Sequence, residues 1–282
     1  MRYIRPILEA ILYVMIFMAI QFFVTLIVTG IQCYRNSTSI HEILEKAGNG
    51  TLTPDTTGLI IISVISSILT LLLFLLLKWA PATRTYLQSR PWAVMAWVTI
   101  LALGTLIPST WLGEQIPYEM PAEMEAMLNE IMRNRWGYLA VGILAPLTEE
   151  VVFRGAVLRV LLKLFGQRWH WLPIALSAVV FGLVHGNIQQ FVHATLIGLI
   201  LGWMYYRTGS ILPGIVFHWV NNSAAYVIAN LLPNANEAKL VDLFGGDQRA
   251  VYIALGSSLC LMLPALFQLY QRLRKAPERL LE

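Results

Sequence analysis

Two glutamates interrupt an apolar stretch in Ala145-Pro-Leu-Thr-Glu-Glu-Val-Val-Phe-Arg154. Glu150 and Arg154 stand four residues apart, the spacing at which a carboxylate and a guanidinium share one helix face and pair. Glu149 is turned about 100° from Glu150 on a regular helix and is left without that partner. A carboxylate short of solvent is a stronger base, so Glu149 is the member of the pair suited to take a proton from water. The competing reading is a buried ion pair that only braces helices, and it weighs more for Glu150 and Arg154 than for Glu149. Downstream, His185 follows Phe181-Gly-Leu-Val, and His218 and Asn222 are again four apart in His218-Trp-Val-Asn-Asn222. A neutral imidazole can bind a metal, hold a water or donate to an oxyanion, and the Asn222 amide offers a second donor for the same charge. Taken singly, each histidine reads more simply as a packed, hydrogen-bonded core residue, and His193 is read that way. Asn221 is the alternative to Asn222, and the four-residue spacing favours Asn222.

The elements that must position these groups follow from composition. Of 282 residues, 57% are hydrophobic and only 13% are charged, against roughly 25% charged in a soluble domain. The stretches 10–31, 58–77, 92–112 and 250–270 hold no charge at all, and about 20 apolar residues suffice for a helix to cross the hydrocarbon core. A backbone in lipid must satisfy its own hydrogen bonds, so these runs are helices. Less clean runs at 136–165, 171–186, 188–206 and 211–232 bring the expected number of spans to about eight. The predicted fold is therefore all-α, a polytopic membrane helix bundle, forming one membrane domain over residues 1–282. Ionisable groups inside such spans are costly and normally face the bundle interior, where they act on something.

Sidedness comes from the loops. Arg2, Arg5, Lys78, Arg84, Arg90, Arg159, Lys163, Arg168, Arg207 and the basic tail after Tyr270 fall on one side, against Arg35, Lys46, Arg133, Arg135, Lys239 and Arg249 on the other. The excess of Lys and Arg places both termini in the cytoplasm. Trp79, Trp92, Trp111, Trp136 and Trp171 fall at span ends, as interfacial aromatics do. The 36–57 segment reads as a polar loop on the far side, and the glutamate-rich 113–135 segment as a loop with a short surface helix over 121–133. At about 1.5 Å per helical residue, Glu149 lies roughly 24 Å from Phe165, His185 roughly 20 Å from Trp171 and His218 roughly 10 Å from Ile211. All three can meet at one depth if the 159–168 turn protrudes from the membrane. The first apolar run is too long for a signal-peptide core and lacks a small-residue cleavage site, so it reads as a retained helix. Cys33 and Cys260 form no CxxC pair, and Cys260, inside an apolar run, is expected in the core.

In order, Glu149-Glu150-xxx-Arg154, Phe181-xxx-His185 and His218-xxx-Asn222 resemble the three motifs of the CAAX protease and bacteriocin-processing family, also called CPBP or Abi. Ala145-Pro146 and Phe153-Arg154-Gly155 are similar to the same family. The resemblance is anchored over residues 145–222, which makes that segment the expected catalytic core. It implies eight helices round a conical cavity open to the cytoplasm. It also implies an intramembrane endopeptidase in which Glu149 activates a water for attack on a peptide carbonyl. His185 and His218 would orient that water or hold a metal, His218 or Asn222 would stabilise the oxyanion, and Glu150 with Arg154 would orient the site. Glu149, His185 and His218 are enough ligands for zinc or another divalent cation, and they equally suffice without a metal. The implied partners are a peptide or protein substrate, prenylated or otherwise membrane-associated, and the bilayer itself; nothing points to nucleic acid. The absence of added domains fits a bacterial cell membrane.

Two other classes compete. A non-catalytic scaffold or immunity protein could keep the same fold, and a proton-coupled transporter could use buried Glu and His as a relay. The transporter reading lacks repeated halves and matched broken helices, and a scaffold has no need of costly polar groups. His41-Glu42-Ile-Leu-Glu45 lacks the second histidine of a zinc-protease helix, and Gly245-Gly246-Asp247 reads as a turn. Gly182-xxx-Gly186 and Gly198-xxx-Gly202 are expected to let helices pack closely.

Overall fold

The computed structural model describes residues 4–49, 52–81, 85–118, 121–165, 168–232 and 239–274. All regular structure among them is helical. Two long antiparallel helices, α1 (Ile4–Arg35) and α3 (Thr56–Leu76), open the chain, joined through a short helix α2 (Ile40–Gly48). The 36–57 segment is therefore not a plain loop. Ser39 caps α2 by accepting from the Glu42 amide, and Asp55 caps α3 by accepting from the Gly58 amide at 2.7 Å. Gln32 donates to the same Asp55 carboxylate at 2.6 Å, which ties the end of α1 to the start of α3.

After a single turn, α4 (Thr85–Gln88), comes α5 (Trp92–Glu114), then the surface helix α6 (Ala122–Arg133), close to where the sequence puts it. One turn, α7 (Arg135–Gly137), leads into a continuous helical run of mixed winding: π1 (Tyr138–Leu144), α8 (Ala145–Glu149), π2 (Glu150–Leu158) and α9 (Arg159–Phe165). Then follow α10 (Trp171–Leu183), α11 (Ile188–Thr208), α12 (Leu212–Leu231), the turn α13 (Leu240–Leu243) and α14 (Gln248–Arg272).

Hydrogen bonds between elements sort the helix ends into two opposite faces. On one, Tyr226 and Asn230 of α12 donate to the carbonyls of Asn134 and Met132, and Gln189 at the start of α11 donates to Tyr118. On the other, Arg159 donates to the Trp79 carbonyl, and Arg207 to those of Tyr270 and Leu273. Ile4 and Arg272 thus lie towards the same face.

Five of these helices are long and apolar enough to cross a membrane: α1, α3, α5, α11 and α14. The expected eight spans are not all of this kind. α10, with 13 residues, is about 20 Å long and falls short of a roughly 30 Å hydrocarbon core. The run 138–165 is broken by its π turns, and α12 carries His218, Asn221 and Asn222. The elements that fail the simple test for a span are those that hold the polar groups.

Large apolar side chains such as Phe22, Phe23, Ile253 and Leu263 point outward, as they do where lipid is the solvent. Cys260 follows them. Expected in the core, it is exposed on α14, because an apolar run in a bilayer protein need not face inward. Inside, one apolar cluster joins α1, π2 and Phe181, and a second joins α5, α11, α12 and α14. Glu150 and Arg154 are interleaved with the first through Val151, Val152 and Phe153; His218 adjoins the second through Phe217. The site lies on the seam between them.

Candidate active site

The site begins with an irregular backbone. In π1 the Ala145 amide reaches back five residues to the Ala140 carbonyl, and π turns of this kind concentrate at functional sites. Continued one residue on, that register would ask Pro146 to donate to Val141, but proline has no N–H. The missing donor comes from another helix: Asn222 Nδ2 bonds the Val141 carbonyl at 2.9 Å. Similarly, Ser177 Oγ on α10 donates to the Phe153 carbonyl in π2 at 3.1 Å. Tyr138, at the head of π1, is held to α12 through Ser223 Oγ and the Trp219 indole N–H.

Across the second π turn, Arg154 Nη1 donates to Glu150 Oε1 at 2.8 Å, with both side chains essentially fully buried. The pairing read from four-residue spacing is present. Arg154 also lies 4.3 Å over the Phe181 ring and close to Gly198 of α11.

His218 comes between the two glutamates. Its Nε2 is 3.6 Å from Glu149 Oε2, and its Nδ1 is 3.5 Å from Glu150 Oε1. These separations are longer than hydrogen bonds, as is common for catalytic contacts without substrate. One imidazole thus meets both carboxylates, which a regular helix would turn about 100° apart. The two differ in access: the Glu149 side chain is 19% exposed and that of Glu150 0%. Glu149 is the carboxylate that a water can reach.

His185 sits in the turn just past α10 and not within a span. Its Nδ1 is 2.8 Å from the Phe181 carbonyl. A carbonyl only accepts, so Nδ1 carries the proton and Nε2 presents its lone pair. The ring stands edge-on to Phe181, and Phe181 edge-on to His218. His193, read from the sequence as core, lines a cavity between α5 and α11 and lies within electrostatic reach of both His185 and His218. As an ionisable group inside an apolar span it is open to a cavity-lining reading, but it stands outside the three motifs.

Among the described residues no three His, Cys, Asp or Glu side chains converge as metal ligands. Glu149, His185 and His218 therefore do not fit a metal as they stand, and no step below passes through one. Buried polar atoms without a hydrogen-bond partner include Glu150 Oε2, Arg154 Nη2, His218 Nδ1 and Asn221 Nδ2; such atoms are rare in folded proteins and call for a functional account. The two asparagines divide their roles. The Asn222 amide is engaged with Val141, while the neighbouring Asn221 is buried and its amide donates to nothing.

Small residues set the spacing. A side chain at Gly214, one turn before His218, would run into the Glu150 carboxylate, so α12 reaches π2 only through this glycine. Gly198 and Gly202 likewise admit Ala178 and Ile174, as the sequence spacing implied, and Gly182 admits Phe191 and Thr195. Gly186 instead serves a turn, with φ +77° and open space beside it. Gly214→Ala should cost about 1–3 kcal/mol by overpacking and displace Glu150. Gly256→Ala on α14, where the added methyl meets nothing, serves as the control. Thermal unfolding in detergent should separate them, and equal stability would disprove the close approach.

The fold and site together define a polytopic membrane protein with a buried glutamate–histidine centre. Residues 132–224 match the family model described as Rce1-like, type II CAAX prenyl endopeptidase, in line with the CAAX-protease resemblance of the motifs. The matched segment runs from the end of α6 into α12 and contains Glu149, Glu150, Arg154, His185, His218 and Asn222. The match covers less than half of the chain. Comparisons with curated proteins and with solved structures found no match.

Proposed function

We propose that this chain is an intramembrane endopeptidase that hydrolyses a peptide bond in a prenylated CAAX-type substrate. The observation that carries the reading is the placement of His218 between an accessible Glu149 and a buried Glu150, within the segment that matches the family. Glu149 takes a proton from a water, and the resulting hydroxide attacks the scissile carbonyl. The carbonyl electron pair moves onto oxygen, where His218 and the remaining amide hydrogen of Asn222 can donate to it. The tetrahedral intermediate then collapses, and the proton held by Glu149 passes to the leaving amine. His185 orients the water through its Nε2 lone pair. Glu150 and Arg154, out of water's reach, hold His218 in place. The Lys and Arg bias puts the face bearing Ile4 and Arg272 in the cytoplasm, the side from which a CAAX-type substrate would come.

The test is cleavage of a prenylated CAAX peptide by purified protein, with the released tripeptide identified by mass. The expected result is release of the tripeptide, undiminished by a chelator. No release from the prenylated peptide would overturn the assignment, and turnover lost to the chelator and restored by zinc would overturn the metal-free mechanism.

A further inference from the structure

A cleft of about 670 Å³ opens between α11 and α14, beside the start of α10. Its walls are apolar and aromatic: Trp171, Ile200, Trp203, Leu266, Phe267 and Tyr270. It lies on the side of α11 turned away from the reactive centre. The Gly198 position abuts Arg154, and Ile200 and Trp203 are turned about 140–160° from it on a regular helix. Trp171, Phe267 and Tyr270 are each more than half exposed, so the cleft opens sideways. α14 packs chiefly along α5, which leaves this side of α11 uncovered by protein.

Depth places the cleft in one leaflet. At about 1.5 Å per residue, Ile200 stands roughly 12 Å from the end of α11 at Thr208, and Leu266 roughly 9 Å from the end of α14 at Arg272. Half of a roughly 30 Å hydrocarbon core is about 15 Å, so the cleft lies within the leaflet at the face bearing Ile4 and Arg272. Each of its three walls continues into a cation at that face. Arg168 comes three residues before Trp171, Arg207 four after Trp203 and Arg274 four after Tyr270. Arg168 and Arg274 are exposed, and Arg207 lies 5.5 Å over the Tyr270 ring. The chain offers these cations no acid nearby: residues 151–236 and 248–277, which contain all three walls, hold neither Asp nor Glu.

We propose that the cleft binds one anionic phospholipid of that leaflet. An acyl chain lies against Ile200, Trp203, Leu266 and Phe267, and the phosphate sits among Arg168, Arg207 and Arg274. Guanidinium groups match phosphate oxygens with paired hydrogen bonds, and Trp171 and Tyr270 stand at the headgroup level, where such rings settle. The substrate is a different occupant, because its peptide must reach the centre on the far side of α11. A lipid seated in the cleft joins α14 to the helix whose other face abuts Arg154. The site stands whether or not the chain cleaves a peptide.

The experiment is native mass spectrometry of the delipidated full chain, titrated in detergent with phosphatidylglycerol or with phosphatidylcholine of the same acyl chains. One phosphatidylglycerol should be retained per chain, more than about tenfold tighter than phosphatidylcholine. A cation at the membrane surface is worth about fivefold in affinity for anionic lipid, so Arg168→Gln with Arg274→Gln should weaken phosphatidylglycerol roughly 25-fold and leave phosphatidylcholine unchanged. Arg35→Gln with Arg249→Gln, at the opposite face, should change neither. Leu266→Trp, which fills the cleft, should abolish retention of both lipids, whereas Leu259→Trp on the exposed side of α14 should not. Equal retention of the two lipids, or indifference to the Arg168 and Arg274 substitutions, would overturn the proposal. So would one-for-one displacement of phosphatidylglycerol by a prenylated peptide, which would give the cleft to the substrate.

Discussion

Glu149→Gln should lower kcat by roughly 10³-fold while leaving the protein as stable as the wild type. The substitution is nearly isosteric, and Gln can still face His218 Nε2 across the 3.6 Å that separates the pair now. What it removes is the ability to take up a proton. General-base assistance contributes about 10²–10⁴ in rate, which corresponds to about 3–5 kcal/mol of barrier. Stability should hold because the Glu149 side chain keeps 19% of its surface exposed and makes no buried ion pair. Single-turnover cleavage of the lipidated peptide, beside melting in detergent, reads both properties. Unchanged turnover would remove Glu149 from the mechanism, and a collapse in melting temperature would show it to be structural.

The second large effect concerns stability. Arg154→Met should destabilise the protein by about 3–5 kcal/mol, the usual cost of leaving one member of a buried ion pair behind. Arg154 and Glu150 are 1% and 0% exposed. Without the guanidinium, the Glu150 carboxylate would face only His218 Nδ1 at 3.5 Å. Pairing Arg154→Met with Glu150→Gln should recover more than half of the loss, because no charge is then stranded. Denaturant titration in detergent measures both variants. Simple additivity, or a harmless Arg154→Met, would show that the pair is not coupled as its 2.8 Å contact indicates.

The sequence makes the chemistry more legible than the geometry that delivers it. The Glu150–Arg154 pair and the all-helical bundle follow from spacing and composition. That one imidazole reaches both glutamates does not, because it depends on π turns, and nothing in residues 138–158 announces an i→i+5 register. Pro146 was the one available hint: it removes a donor, and Asn222 supplies the replacement. The four-residue spacing sets Asn222 one turn from His218 on α12, but its visible partner is a backbone carbonyl. Counting spans by apolarity also has a physical limit. The helices that carry the site give up length or hydrophobicity to do so, and α10 is the clearest case. Cys260 and His193 show the converse: in a bilayer protein, apolar context does not say whether a side chain faces lipid, core or cavity.

The π turns also bear on how such a centre can arise. A π turn is an α-helix holding one residue more than its neighbours can thread, so it can be made by a single-codon insertion that leaves both flanks helical. Each insertion swings everything beyond it by about a quarter turn or more. With π1 before α8 and π2 after it, the orientation of the two glutamates can be tuned apart from that of α9, whose Val160, Leu161 and Leu162 stay buried. A bundle committed to lipid on its outside can thereby re-aim a polar side chain within its interior, without rebuilding the surface that the membrane holds in place.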